Sequence, residues 1–175
     1  MKLVTSVELS FDGIGRPVIP VTLDGYERYL LIDTGGVHGT LDAVTATNIG
    51  LEQQRASIGI IGVTGERSNN FVTVNEFLVG GLRARNHQFM ISPGGSVPDI
   101  MTVFVGTIAP NVFINYDLDL DFGSNKMNFF QQDHCEGGVI YYLLAPSSSC
   151  HYPLRVGRAA LTSFCVALRQ AQGKG

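Results

Sequence analysis

Apolar and polar positions in this chain change their period in short steps, and glycines mark most of the changes. Residues 3–11 alternate in part, residues 17–23 form a second strand-like run, and residues 27–32 form a third. Asp24-Gly25, between the second and third runs, is a hairpin signal. Thr40 is placed to cap a short helix that uses Leu41, Val44 and Ile49 and stops at Gly50. The glycine-spaced run 58–65 predicts a hairpin with a mobile tip. Residues 71–79 predict a long strand, Gly80-Gly81 a turn, and residues 86–92 the returning strand. Residues 92–98 read as a loop and residues 100–105 as a fully apolar strand ending on Gly106. Pro110 suits the first position of a second short helix. Residues 116–122 alternate strictly, with Leu118, Leu120 and Phe122 on one face and Asp117, Asp119 and Asp121 on the other, which predicts a solvated acidic face. Asn125 turns the chain into residues 127–130. Many short strands with one or two short helices predict an all-β barrel or sandwich.

A length of 175 residues suits one domain, or one domain with an appendage, and 45% hydrophobic residues are enough to build a core. The net charge of -3 implies no nucleic-acid surface. No apolar run is long enough to span a bilayer. Met1-Lys2-Leu3-Val4 leads at once into polar residues, so no signal peptide is expected. That leaves a cytosolic protein, or an exported or periplasmic one whose leader is absent from this sequence. All 15 acids lie between Glu8 and Glu136, whereas residues 151–175 carry Arg155, Arg158, Arg169 and Lys174 and no acid. That shift places a boundary near Ser147-Ser148-Ser149-Cys150. Leu161, Phe164, Cys165 and Leu168 fall at helical spacing, so residues 156–170 read either as a docked helix or as a frayed basic tail.

Cys135, Cys150 and Cys165 contain no Cys-x-x-Cys pair, which argues against a zinc or redox motif. A Cys135–Cys150 disulfide and three free thiols both remain open. His38, His87, His134 and His151 show no metal-ligand spacing, and no metal or other cofactor is expected. His38, five residues after Asp33, is placed to line a site there.

The chemistry concentrates at Tyr29-Leu30-Leu31-Ile32-Asp33-Thr34-Gly35, an apolar strand that stops on an acid, a hydroxyl and a glycine. A carboxylate at the mouth of such a strand is costly to bury unless it is hydrogen-bonded. The threonine hydroxyl can brace the turn, and the glycine lets backbone amides approach the carboxylate. Two carboxylates held a few ångströms apart cannot both ionise and so share one proton. The ionised one then removes a proton from water while the other donates to a carbonyl. No second Asp-Thr-Gly or Asp-Ser-Gly exists in the chain, so it carries half of such a pair.

Four blocks in order resemble a retropepsin-like aspartic protease of the bacterial type: Leu30-Leu31-Ile32-Asp33-Thr34-Gly35-Gly36, the hairpin over residues 59–70, Phe104-Val105-Gly106, and Asn115-Tyr116-Asp117-Leu118-Asp119-Leu120-Asp121-Phe122. They cover roughly residues 15–130. Gly36 departs from the Ala or Ser of many relatives, and Gly106 is followed by Thr-Ile-Ala. The resemblance implies a closed β-barrel with a flap hairpin over residues 1–132, followed by an extension over residues 133–175. It implies Asp33, Thr34 and Gly35 as catalytic residues. Gly36, Gly62, Val63, Thr64, Gly65, Val105 and Gly106 would contact a peptide or protein substrate, with Val63, Ile91 and Val105 as candidate pocket walls. It also implies a homodimer, or a second protease-like domain, to supply the other Asp. The stretch from Asp133 to Tyr142 resembles the join between domains in tandem relatives. The alternative is a non-catalytic peptide-binding or assembly domain on the same fold, or an inactive half of a tandem protease.

Overall fold

The computed structural model describes residues 2–62, 65–94 and 104–132, and the backbone of residues 166–169. In chain order the strands are β1 (Leu3–Glu8), β2 (Ser10–Phe11), β3 (Pro17–Leu23), β4 (Tyr26–Ile32) and β5 (Thr40–Leu41). A short helix, α1 (Ala43–Asn48), leads to β6 (Gln54–Ile61), β7 (Arg67–Val79), β8 (Leu82–Ile91) and β9 (Gly106–Ile108). A 3-10 turn (Pro110–Phe113) precedes β10 (Tyr116–Asp121), β11 (Lys126–Gln131) and β12 (Val166–Arg169).

Six strands close on themselves in the order β3-β4-β9-β5-β8-β7, and β7 returns to β3 through Thr22 opposite Leu78 and Leu23 opposite Phe77. Closure removes the free edges that an open sheet would expose. Ile19, Leu23, Leu30, Leu41, Val72, Val74, Phe77, Phe89 and Ile108 fill the interior. Side chains of this size stabilise by about 1.5–3 kcal/mol each when fully buried. β1, β11, β10 and β12 form a second sheet in that order, and its apolar residues Val7, Leu118, Leu120, Met127 and Phe129 join the same core.

Local sequence explains several elements directly. The β3–β4 hairpin turns at Asp24 and Gly25 with φ of 46° and 88°, values that an Asp-Gly pair tolerates. Asp24 Oδ1 also accepts from the backbone N–H of Glu76 at 2.6 Å, which ties this turn to β7.

Other elements depart from the sequence pattern. The helix cap is Asp42, whose Oδ1 accepts from Thr45 N at 2.8 Å, because Thr40 is engaged in β5 between β8 and β9. β7 starts at Arg67 instead of residue 71, since pairing with β6 overrides the polar run Arg67-Ser68-Asn69-Asn70. The strand expected over residues 100–105 lies partly outside the described residues, and the observed strand begins at Gly106, where the expected one ends. Asp117 and Asp119 are only 3% and 6% exposed, so the acidic face of β10 is not a solvated one. β10 lies between β11 and β12 with both edges paired, and Asn128 Nδ2 donates to Asp119 Oδ2 at 3.3 Å.

Val166–Arg169 is a strand parallel to β10, with Leu118 opposite Val166 and Asp121 opposite Arg169. A helix over residues 156–170 is therefore corrected at these positions. The free backbone edge of β10 offers a ladder that outweighs local helical spacing. The rest of residues 133–175 lies outside the described residues, with Cys135, Cys150 and Cys165 among them.

His87 on β8 is packed against Phe77, with ring centroids 5.3 Å apart, and against Phe89 at 4.8 Å. Burial pushes its imidazole below the ordinary value of 6.5, because the charged form loses hydration there. The unfolded chain therefore takes up a proton near pH 6.5 that the folded chain refuses, and stability falls as pH drops through that value. His87→Phe removes this linkage while keeping an aromatic ring. Thermal denaturation at pH 7 and pH 5 is expected to show a drop in Tm for the wild type that is smaller by a few degrees in H87F. Equal drops would show that His87 does not set the acid limit.

Candidate active site

β4 delivers Asp33 directly from the barrel wall. β9 lies between β4 and β5: it is parallel to β4, with Ile32 opposite Ile108, and antiparallel to β5, with Leu41 opposite Gly106. Residues 33–39 thus cross from one neighbour of β9 to the other. The crossing is knitted by backbone bonds. Val105 N–H donates to Tyr29 O at 3.0 Å, Asp33 N–H to Ile108 O at 3.0 Å, and Asp42 N–H to Val105 O at 2.9 Å. The Thr40 and Thr107 hydroxyls are 3.0 Å apart across the same seam. A Cβ on Gly106 would fall within 2.0 Å of Thr40 O, so only glycine lets β9 pass β5 this closely.

Asp33 is half-buried, and Thr34 and Gly35 are exposed. Gly35 N–H donates to Asp33 Oδ1 at 3.2 Å, and Gly36 N–H donates to the main-chain oxygen of Asp33 at 3.3 Å. These amides, rather than the Thr34 hydroxyl, brace the turn among the described residues. A Cβ on Gly36 would lie 2.7 Å from Asp33 Oδ2 and 3.3 Å from the Ala109 Cβ, so the absent side chain leaves the carboxylate its position. Beneath Asp33 and Thr34 lies a cavity of about 10 Å³ lined by Ile32, Ile108, Ala109, Phe113, Leu118 and Leu120. That is room for about one water, so the carboxylate rests on a packed apolar floor drawn from both sheets. The ion pairs among the described residues are Asp12–Arg16 at 2.7 Å and Glu76–Arg83 at 3.3 Å, and neither involves Asp33.

One residue of this site belongs to no motif in the sequence. Gly39 N–H donates to Asn111 Oδ1 at 3.1 Å, which fastens the far end of the Asp33 loop to the 3-10 turn. The only local signal for Asn111 is its place directly after Pro110, in the first turn of that element.

Residues 19–102 match the aspartyl protease family. That segment is just under half of the chain, and over it the chain is similar to aspartyl proteases. A retropepsin-like aspartic protease from Rickettsia conorii, known from a crystal structure, shares 11% identity with it, with 71% of this chain and 90% of that chain covered and a TM-score of 0.49. No curated protein sequence matches the chain.

The barrel distributes the remaining expected site residues unevenly. Gly62 and Gly65 occupy the β6–β7 turn, where Gly62 N–H donates to Glu66 O at 2.9 Å and Gly65 N–H to Gly62 O at 3.0 Å. Gly62 lies against the loop after β8: a Cβ there would be 2.9 Å from Pro93 Cγ. Val63 and Thr64 lie outside the described residues. The β6–β7 register slips between Arg55 and Ile60, which leaves an opening of about 400 Å³ lined by Ser57, Ile58, Arg67 and Asn69 among others. Val105 is half-buried beside the seam, and His38 is half-buried on the Asp33 loop. Ile91 is 5% exposed and packs within the core.

Proposed function

We propose that the chain is an aspartic endopeptidase whose working site pairs Asp33 of two subunits in a homodimer. The observation that carries this reading is the placement of Asp33. A single half-buried carboxylate is held by a backbone seam and a glycine amide on an apolar floor, with no ion-pair partner among the described residues. Such a group is positioned for chemistry but cannot both activate water and protonate a carbonyl by itself. Two of them sharing one proton can.

In this mechanism the ionised carboxylate takes a proton from a water between the pair as its oxygen attacks the scissile carbonyl. The protonated carboxyl donates to the carbonyl oxygen, giving a neutral gem-diol. Proton transfer to the amide nitrogen then lets the C–N bond break, which returns one shared proton to the pair. Substrate binds extended, its backbone pairing with the β6–β7 hairpin acting as a flap. The protease domain spans residues 1–132, and residues 133–175 form an extension to it.

Concentration dependence tests the reading. Cleavage of an extended peptide library at mildly acid pH is expected to lose specific activity on dilution, in step with dimer dissociation measured by light scattering. Full specific activity in a solution of monomers would overturn the shared pair.

A further inference from the structure

We propose that Asn111 is a positioning residue for Asp33, acting through the amide of Gly39; the proposal rests on the protease reading above. The loop of residues 33–39 is tied at both ends to one short segment. At its start Asp33 N–H donates to Ile108 O at 3.0 Å, a backbone bond that any residue could make. At its end Gly39 N–H donates to Asn111 Oδ1 at 3.1 Å, a bond that needs this side chain. Between the ties, the bonds from Gly35 and Gly36 reach only Asp33 itself. Val37 is 74% exposed, so packing does little to hold the middle of the loop.

Gly39 gives the tie its leverage. It is buried, and a Cβ there would lie 3.1 Å from the Phe89 ring and 3.2 Å from Thr107 O. Water is not at hand to replace the acceptor. A buried N–H stripped of its partner costs about 1–3 kcal/mol, which the loop can recover only by shifting. Gly39 O meanwhile accepts from Met90 N at 3.0 Å, so the displacement cannot pass into β8 without breaking a second bond. The open side of the loop, toward Asp33, is where it goes. Asn111 in turn is well fixed. It follows Pro110, whose ring sets φ, in a turn that shares the apolar floor under Asp33 with Ala109 and Phe113.

Two substitutions separate positioning from bulk stability. Asn111→Leu keeps the shape and removes the acceptor, whereas Asn111→Asp keeps an oxygen at the same place. In the dimeric enzyme N111L is expected to lower kcat about 10- to 100-fold with KM within about 3-fold, since a displaced catalytic group costs turnover more than binding. N111D is expected to restore kcat to within about 3-fold of wild type, because a carboxylate accepts the same bond. If N111L does not fold, N111A is measured in its place. N111L turnover within 2-fold of wild type, or N111D impaired as much as N111L, would overturn the proposal. A second readout is independent of turnover: protection of the Gly39 amide from hydrogen exchange, and the Asp33 carboxyl resonance, are expected to change in N111L and to return in N111D. A wild type that cleaves nothing defeats the protease reading alone. An Asp33 resonance unmoved by N111L defeats the positioning role.

Discussion

Asp33→Asn is expected to abolish peptide cleavage and to leave the barrel folded. Asparagine has the size and shape of aspartate and keeps an oxygen for the Gly35 amide, which donates to Asp33 Oδ1 at 3.2 Å. The backbone bond from residue 33 to Ile108 O is untouched. No ion pair is lost, since none among the described residues involves Asp33. Stability should therefore change little, with Tm within a few degrees of wild type. What disappears, on the proposed mechanism, is the shared proton. Two amides can neither accept a proton from water nor pass one to a carbonyl at these pH values, so kcat should fall by at least about 1,000-fold, within the range that general acid–base groups supply. The proposed dimeric mechanism adds a sharper requirement. When wild type and D33N subunits are mixed and allowed to exchange, one asparagine disables the pair, so activity should fall as the square of the wild-type fraction. A linear fall would mean that each subunit works alone. Turnover by pure D33N at the wild-type rate would remove Asp33 from the mechanism altogether.

The parts of this molecule that were legible in the sequence are those decided locally. The β3–β4 hairpin needs only two apolar runs and an Asp-Gly pair that accepts positive φ. Asp33 stands out because an acid at the end of an apolar strand must be used or satisfied. What was not legible depends on which faces end up covered. Alternation along β10 assigns Asp117 and Asp119 to a common face but cannot show that β11 and β12 flank that strand. Helical spacing near the C-terminus competes with an open strand edge that exists only once β10 is in place. Asn111 is the clearest case at the site. It bonds Gly39 from 72 residues away, and nothing near either residue announces the contact. The period of a sequence reports secondary structure; tertiary hydrogen bonds leave no period.

Gly106→Ala should prevent the barrel from forming. Gly106 is not in the left-handed region of backbone space, so the obstacle is space alone. An added Cβ would fall 2.0 Å from Thr40 O, 2.8 Å from Thr40 C and 2.9 Å from Leu41 Cα. All three atoms are backbone, so no side chain can rotate out of the way. β5 would have to retreat by more than about 1 Å to restore van der Waals contact. It cannot, because its other edge is paired with β8, Thr40 with Met90 and Leu41 with Ile91. Retreat would also open the Asp42–Val105 bond and the Thr40–Thr107 contact, which together hold the strand at the far end of the Asp33 loop in register. Overpacking against rigid backbone, with a seam of hydrogen bonds lost as well, places the cost above about 4 kcal/mol, a large share of the stability of a domain this size. Gly13→Ala is the matched control. Nothing lies within 4 Å of its Cβ and its φ is not positive, so it should change stability by less than about 0.5 kcal/mol. Chemical denaturation of both variants checks the contrast. G106A with a midpoint close to that of G13A would mean that β5 and β9 can part without loss. The close crossing beneath the Asp33 loop would then not be what holds the carboxylate in place.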